Sequence, residues 1–194
     1  MFQGRKRIPG TILVFGAADH IGGPLARFLH REAPHVQLRL ATSNSGKYEA
    51  LRREHPYAQV VIASYFELLS LEKAVDGMEG VFVLTRSGTD ETDAMMNLVA
   101  FLKNAKKAVH VLRLLGLQPE ANRRRIPQSL RNHGLGLPIQ HPIAKQILDE
   151  SDLPVTYLNI GATFMDNFFW MKDGLRRQRK LIWPERLIPY HRSA

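Results

Sequence analysis

Short, unbroken apolar runs that recur between helical patterns constrain this chain more than any other feature of it. "TILVFG" (11–16), "VQLRLATS" (36–43), "AQVVIAS" (58–64), "GVFVLT" (80–85), "AVHVLRLLG" (108–116) and "PVTYLNIG" (154–161) each have the length and composition of a strand. Strands of this apolar kind are buried on both faces, which is the signature of a parallel sheet. Parallel neighbours need crossovers, and the sequence supplies them. "IGGPLARFLHRE" puts Ile21, Leu25, Phe28 and Leu29 on one helical stripe, and "GKYEALRREH" follows the second strand. "ELLSLEKAVDG" reads as a short helix closed by Gly77, Asp90 to Lys107 as a longer one, and "IAKQILDES" as another. Right-handed crossovers on both sides of such a sheet give a doubly wound α/β domain. Residues 117–138 break the pattern with three prolines and two close glycines, and predict a long, partly helical excursion. "TFMDNFFWMKDGLRRQ" reads as an amphipathic helix after the sixth strand, and "LIWPERLIPYHRSA" leaves no room for another full unit.

The first apolar run leads into "GAADHIGG", and this turn is the first candidate for chemistry. Gly16, Asp19 and Gly22 stand where a dinucleotide-binding turn places three glycines. The first glycine permits a tight reversal, the middle one lets backbone approach a diphosphate, and the last allows close helix packing. The helix N-terminus then offers N–H groups and a positive dipole end to the phosphates. Asp19 breaks this pattern with bulk and negative charge. Two like charges about 4 Å apart repel by about 1 kcal/mol in bulk water and by more in a drier site. Two readings stand: Asp19 turns away and the turn holds its ligand, or Asp19 caps the helix in the ligand's place.

Composition narrows the remaining classes. The chain has 194 residues, a formal net charge of +9 and no cysteine. Disulfides, thiolate metal sites and cysteine nucleophiles are thereby excluded, and no zinc spacing points to another metal. The positive excess lies in the second half, partly as Arg123, Arg124 and Arg125 and as Arg176, Arg177, Arg179 and Lys180. A solvated basic face is the ordinary meaning of such clusters, and no aromatic ladder or helix-turn-helix signature favours nucleic acid. No apolar run reaches membrane-spanning length, and "MFQGRKRIPG" carries no signal segment, so we expect a soluble, cytoplasmic protein without a membrane partner.

Beyond these patterns, "ILVFGAADHIGGPLARFL", "SLEKAVDGMEGVFVLT" and above all "HPIAKQILDESDLPVTYLNIGATFMDNF" resemble the NmrA-like proteins, which are atypical short-chain dehydrogenases/reductases. The resemblance covers roughly residues 10–190. It implies a Rossmann-like α/β fold that binds NADP or NAD, as a single domain over 1–194 in which 162–194 begin a substrate-side lobe. Members of the family usually continue further, so the resemblance also implies a short, truncated or divergent lobe. The implied activity is hydride transfer between nicotinamide and a small carbonyl, imine or enone substrate. The alternative it implies is a non-catalytic, NAD(P)-sensing regulator with a protein partner.

Carried over position by position, the resemblance implies that Gly16, Ala17, Ala18, Asp19, His20, Ile21 and Gly22 face the diphosphate. Thr42 and Ser43 would lie near the adenosine ribose, with Lys47 and Arg39 the nearest cations for a 2′-phosphate. Ser64 and Tyr65 would border the adenine, and Leu84, Thr85 and Arg86 the ribose and nicotinamide. His141 and Lys145 have the i, i+4 spacing of the tyrosine and lysine of classical relatives, which puts both on one helix face. Lysine there would contact the nicotinamide ribose, and histidine, which titrates near neutrality, would donate a proton. His141 also precedes Pro142 at an expected helix start, where packing or capping is its other reading. "LRLLG" places leucines where a classical enzyme has its serine. Asn159, Gly161, Phe164 and Asn167 would form a substrate wall, alongside Met165, Phe168, Phe169 and Trp170, which read equally as core.

Overall fold

The computed structural model describes residues 8–86, 88–105, 109–116 and 137–160, with 172, 176 and 177. The chain divides into two units, residues 1–160 and 161–194. In the second, Lys172, Arg176 and Arg177 are helical and exposed.

In the first unit the apolar runs form six strands: β1 (Thr11–Val14), β2 (Gln37–Thr42), β3 (Gln59–Ile62), β4 (Gly80–Val83), β5 (His110–Leu115) and β6 (Val155–Asn159). The helices between them are α1 (Gly22–Glu32), α2 (Tyr48–Glu54), α3 (Leu68–Val75), α4 (Glu91–Lys103) and α5 (Leu137–Asp149), with a 3₁₀ turn at Ser45–Lys47. All strand pairs are parallel, in the order β3-β2-β1-β4-β5-β6. This is the doubly wound Rossmann-like sheet that the sequence pattern predicts. Strand alternation divides the core between the two faces. Leu13, Val81 and Val111 pack with Leu71, Met95, Leu98 and Leu148 of α3, α4 and α5. Val14, Leu40 and Phe82 pack with Ala26 and Leu51 of α1 and α2. The order reverses between β1 and β4, and the carboxyl ends of these two strands flank the crevice where such sheets bind ligands.

Three local expectations are corrected. The longer helix ends at Lys103, short of Lys107, and it is opened by Asp90, whose Oδ1 accepts the Thr92 N–H at 2.9 Å. The stretch after β2 is two elements, because the Asn44 side chain accepts from Gly46 N–H and winds Ser45–Lys47 into a 3₁₀ turn before α2. Pro142 does not begin a helix. α5 starts at Leu137 and carries Pro142 inside it, so His141 stands in the helix body. Proline at the sixth helical position forgoes the bond to the Pro138 carbonyl, and burial of Ala144 and Leu148 against the sheet holds the helix through it.

Candidate functional site at the carboxyl edge of the sheet

The turn after β1 is closed by its own backbone. Gly16 has φ +66°, a left-handed conformation natural to glycine, and a Cβ there would lie 2.9 Å from Leu84 Cδ2. A Cβ on Gly22 would lie 2.4 Å from the Gly16 oxygen and 2.8 Å from Ala17 Cα. Gly22 therefore serves the turn itself, where the sequence suggested packing of helix on sheet. Asp19 N–H donates to the Gly16 carbonyl at 3.1 Å, and the Asp19 carbonyl accepts from Gly23 N–H at 3.1 Å. Among the described residues, the N–H groups of Ala18, Ile21 and Gly22 have no bonded acceptor. Donors of this kind at the start of an eleven-residue helix suit an anionic ligand.

Asp19 does not cap that helix. Ile21 occupies the N-cap position with no side-chain bond, and the Asp19 carboxylate instead meets Lys47 Nζ at 2.6 Å. Both side chains are about half exposed. The question raised by the missing glycine is thus answered by a residue on the next crossover: the carboxylate is drawn sideways, onto the 3₁₀ turn after β2. Alongside, Thr42 is buried with its Oγ1 accepting from Asn44 N–H at 3.2 Å, while Ser43 is exposed. Arg39 is corrected as a cofactor candidate. Its Nη1 donates to the Ala74 and Asp76 carbonyls, each at 2.8 Å, and its Nε to Gln59, so it closes the end of α3. Burial lowers its pKa, against the pull of Asp76.

Beyond β2, Ser64 Oγ accepts from Phe66 N–H at 3.2 Å and shapes the turn after β3. Tyr65 turns inward. It lies on Phe15 with ring centroids 4.5 Å apart and donates to the Leu84 carbonyl at 3.2 Å; burial pushes its hydroxyl pKa well up. Leu84 is half-buried against Gly16, and Arg86 is exposed. Thr85 is committed to a buried cluster that the sequence did not suggest. Its hydroxyl donates to Glu91 Oε1 and accepts from Arg113 Nη2 at 2.8 Å, while Arg113 Nη2 meets Glu91 Oε1 at 2.5 Å. Arg113 and Glu91 are fully enclosed, and Gln140 Oε1 accepts the Glu91 N–H at 2.9 Å. Glu91 Oε2 and Arg113 Nε and Nη1 have no partner among the described residues. One signal for this cluster was visible, a lone arginine inside the apolar run "AVHVLRLLG".

His141 sits beside this cluster, 6% exposed. Gly116 N–H donates to its Nδ1 at 2.9 Å, so the ring proton is on Nε2. Burial first, and then the Arg113 guanidinium, push its pKa down to about 4. At pH 7 His141 is a neutral hydrogen-bond donor. Lys145, one turn on, has a different environment: Nζ meets Asp149 Oδ2 at 2.5 Å and lies 4.7 Å from the Tyr157 ring centroid. The Tyr157 hydroxyl donates to Asp149 Oδ1 at 2.7 Å; burial and Asp149 raise its pKa. The structure therefore puts His141 and Lys145 on one helix without bringing them to common partners. Asn159 ends β6 and is exposed. Gly161, Phe164 and Asn167 lie outside the described residues, as do Met165, Phe168, Phe169 and Trp170.

A family profile described as NAD(P)H-binding matches residues 16–167, from the first glycine of the turn to beyond β6. The chain belongs to this NAD(P)H-binding family. Its cofactor is NAD(P)H, and the turn agrees in structure: two glycines too tightly packed to take a Cβ, N–H groups without an acceptor among the described residues, and a carboxylate held aside. Solved structures resemble this NAD(P)H-binding fold. One is a nucleoside-diphosphate-sugar epimerase from Staphylococcus aureus, with TM-score 0.67 and 20% identity over 90% of this chain and 58% of that one. Another is the triphenylmethane reductase of Citrobacter sp. complexed with NADP(H), with TM-score 0.66 and 22% identity over 85% and 53%. A third is the NADPH-dependent quinone oxidoreductase of Escherichia coli complexed with NADPH, with TM-score 0.67 and 20% identity over 86% and 54%. The chain thus spans little more than half the length of these proteins. No curated protein matches. Among the described residues no helix is long and apolar enough to cross a membrane.

Proposed function

We propose that this NAD(P)H-binding chain is an oxidoreductase of the NmrA-like kind, transferring hydride between nicotinamide and a small carbonyl, imine or enone. The observation that carries the reading is the glycine cradle at the β1/β4 switch point, with Leu84 packed against its first glycine. The printed activities of the triphenylmethane reductase and the quinone oxidoreductase support it by likeness of fold. In this reading the backbone from Gly16 to Gly22 holds the diphosphate, Thr42 and Ser43 border the adenosine ribose, and Ser64 and Tyr65 the adenine. Leu84, Thr85 and Arg86 flank the nicotinamide side. The cofactor supplies the hydride, and the chain supplies position and polarity. His141, held neutral, offers its Nε2–H to the substrate oxygen or nitrogen, and Lys145 leaves Asp149 to meet the nicotinamide ribose. Residues 162–194 begin the substrate-side lobe that the family resemblance implies. A cytoplasmic location goes with this reading.

Calorimetric titration with NADPH and NADH, followed by cofactor oxidation in the presence of quinones, aldehydes and imines, tests it. Micromolar binding with turnover is expected; absence of binding to both dinucleotides overturns it. A second reading, a non-catalytic NAD(P)-sensing regulator with a protein partner, is favoured by two observations. The end of β5 offers Leu114, Leu115 and Gly116 with no side-chain hydroxyl, and Lys145 is already paired with Asp149. Binding without turnover on any substrate, with a partner recovered by pulldown, decides for it.

A further inference from the structure

We infer that Asp19 sets dinucleotide choice by neutralising Lys47, so that the chain disfavours the 2′-phosphorylated cofactor and Asp19 is its specificity-determining residue. The inference rests on the cofactor reading above and deepens it. Lys47 stands on the 3₁₀ turn directly after β2, the strand whose end meets the adenosine ribose in this fold. With Arg39 spent on the carbonyls that end α3, Lys47 is the cation placed there among the two that the sequence offered. Its ammonium is held 2.6 Å from a carboxylate, so the pair presents almost no net charge. A 2′-phosphate, which carries close to two negative charges at neutral pH, would have to compete with Asp19 for this one ammonium. A 2′-hydroxyl does not compete.

The same contact has a second consequence. Lys47 draws the Asp19 carboxylate toward β2 and away from the N–H groups that begin α1, so the diphosphate is spared the repulsion a free carboxylate would impose. Lys47 and Asp19 therefore act as one unit, and substituting either exposes the charge of the other. Both side chains are about half exposed, which limits the effect through solvent screening. A change of roughly three- to tenfold in affinity is the expected scale.

The test is a double-mutant cycle read by calorimetric binding of NADH and NADPH, with Asp19→Asn, Lys47→Met and both together, each at low and high salt. Asparagine keeps the shape of Asp19 and removes its charge. Asp19→Asn should tighten NADPH more than NADH, by roughly three- to tenfold in their ratio, with the gain shrinking at high salt. Lys47→Met alone should weaken both dinucleotides, because it releases the Asp19 carboxylate. Added to Asp19→Asn, it should weaken NADPH only. A ratio unmoved by Asp19→Asn, in proteins that bind, overturns this inference and leaves the cofactor reading intact. Failure of all four proteins to bind either dinucleotide overturns both.

Discussion

The turn after β1 and the end of β5 open on the same carboxyl edge of one sheet, but they are built from opposite materials. The turn is backbone: a left-handed glycine, a second glycine in contact with the first and one exposed ion pair at its side. Around β5 is a set of enclosed side chains from three elements and the loop after β4, with Thr85, Glu91, Arg113 and Gln140 bonded to one another and His141 buried beside them. A backbone cradle depends on what is absent from its residues and tolerates solvent. A buried polar cluster depends on every member, because an enclosed charge that loses its partner has no water to turn to.

The largest effects should therefore come from the cluster. Glu91→Ala leaves the Arg113 guanidinium enclosed without its carboxylate, and should cost about 3–5 kcal/mol of stability in denaturant unfolding. A loss under about 1 kcal/mol would show that the pair is solvated in a way its burial denies. Next comes acidification. His141 titrates near pH 4 in the folded chain and near its ordinary value when unfolded, so between these values the unfolded chain binds more protons. Its contribution is fully present above about pH 6.5 and is lost as pH falls toward 4, by about 3 kcal/mol at most. Buried His55, also lowered by burial, adds a loss of the same sign. His141→Gln should flatten the slope of stability against pH over this window, and an unchanged slope would remove His141 from the account.

Breaking the cradle should cost less stability and more binding. Gly22→Ala drives a methyl into the Gly16 carbonyl, and about 1–3 kcal/mol of overpacking should accompany loss of detectable dinucleotide binding by calorimetry. Retained affinity would mean that the ligand does not use this turn. The smallest effect belongs to Lys145→Met. Its exposed pair with Asp149 is worth about 0.5 kcal/mol, so thermal stability should barely move. A tenfold loss of cofactor affinity in this variant would show that Lys145 leaves Asp149 for the ribose, and an unchanged affinity would return it to a surface ion pair.

Features that depend on local chemistry were legible along the chain. Buried apolar runs separated by helical stripes dictate a parallel sheet covered on both faces, and glycines at fixed offsets after the first strand dictate its turn. Gly16 and Gly22 could be picked out because their role is the lack of a Cβ. Where each charge goes was settled only by folding. Asp19 looked like a helix cap or an intruder until Lys47, 28 residues on, was folded beside it. Arg39 looked available until α3 presented its last carbonyls. Arg113 became part of the site only when Glu91 and Thr85 closed around it, and His141 lost its proton to the same enclosure. Long side chains reach several partners, and burial fixes which charge state each can bear, so their roles are set by neighbours that are distant along the chain.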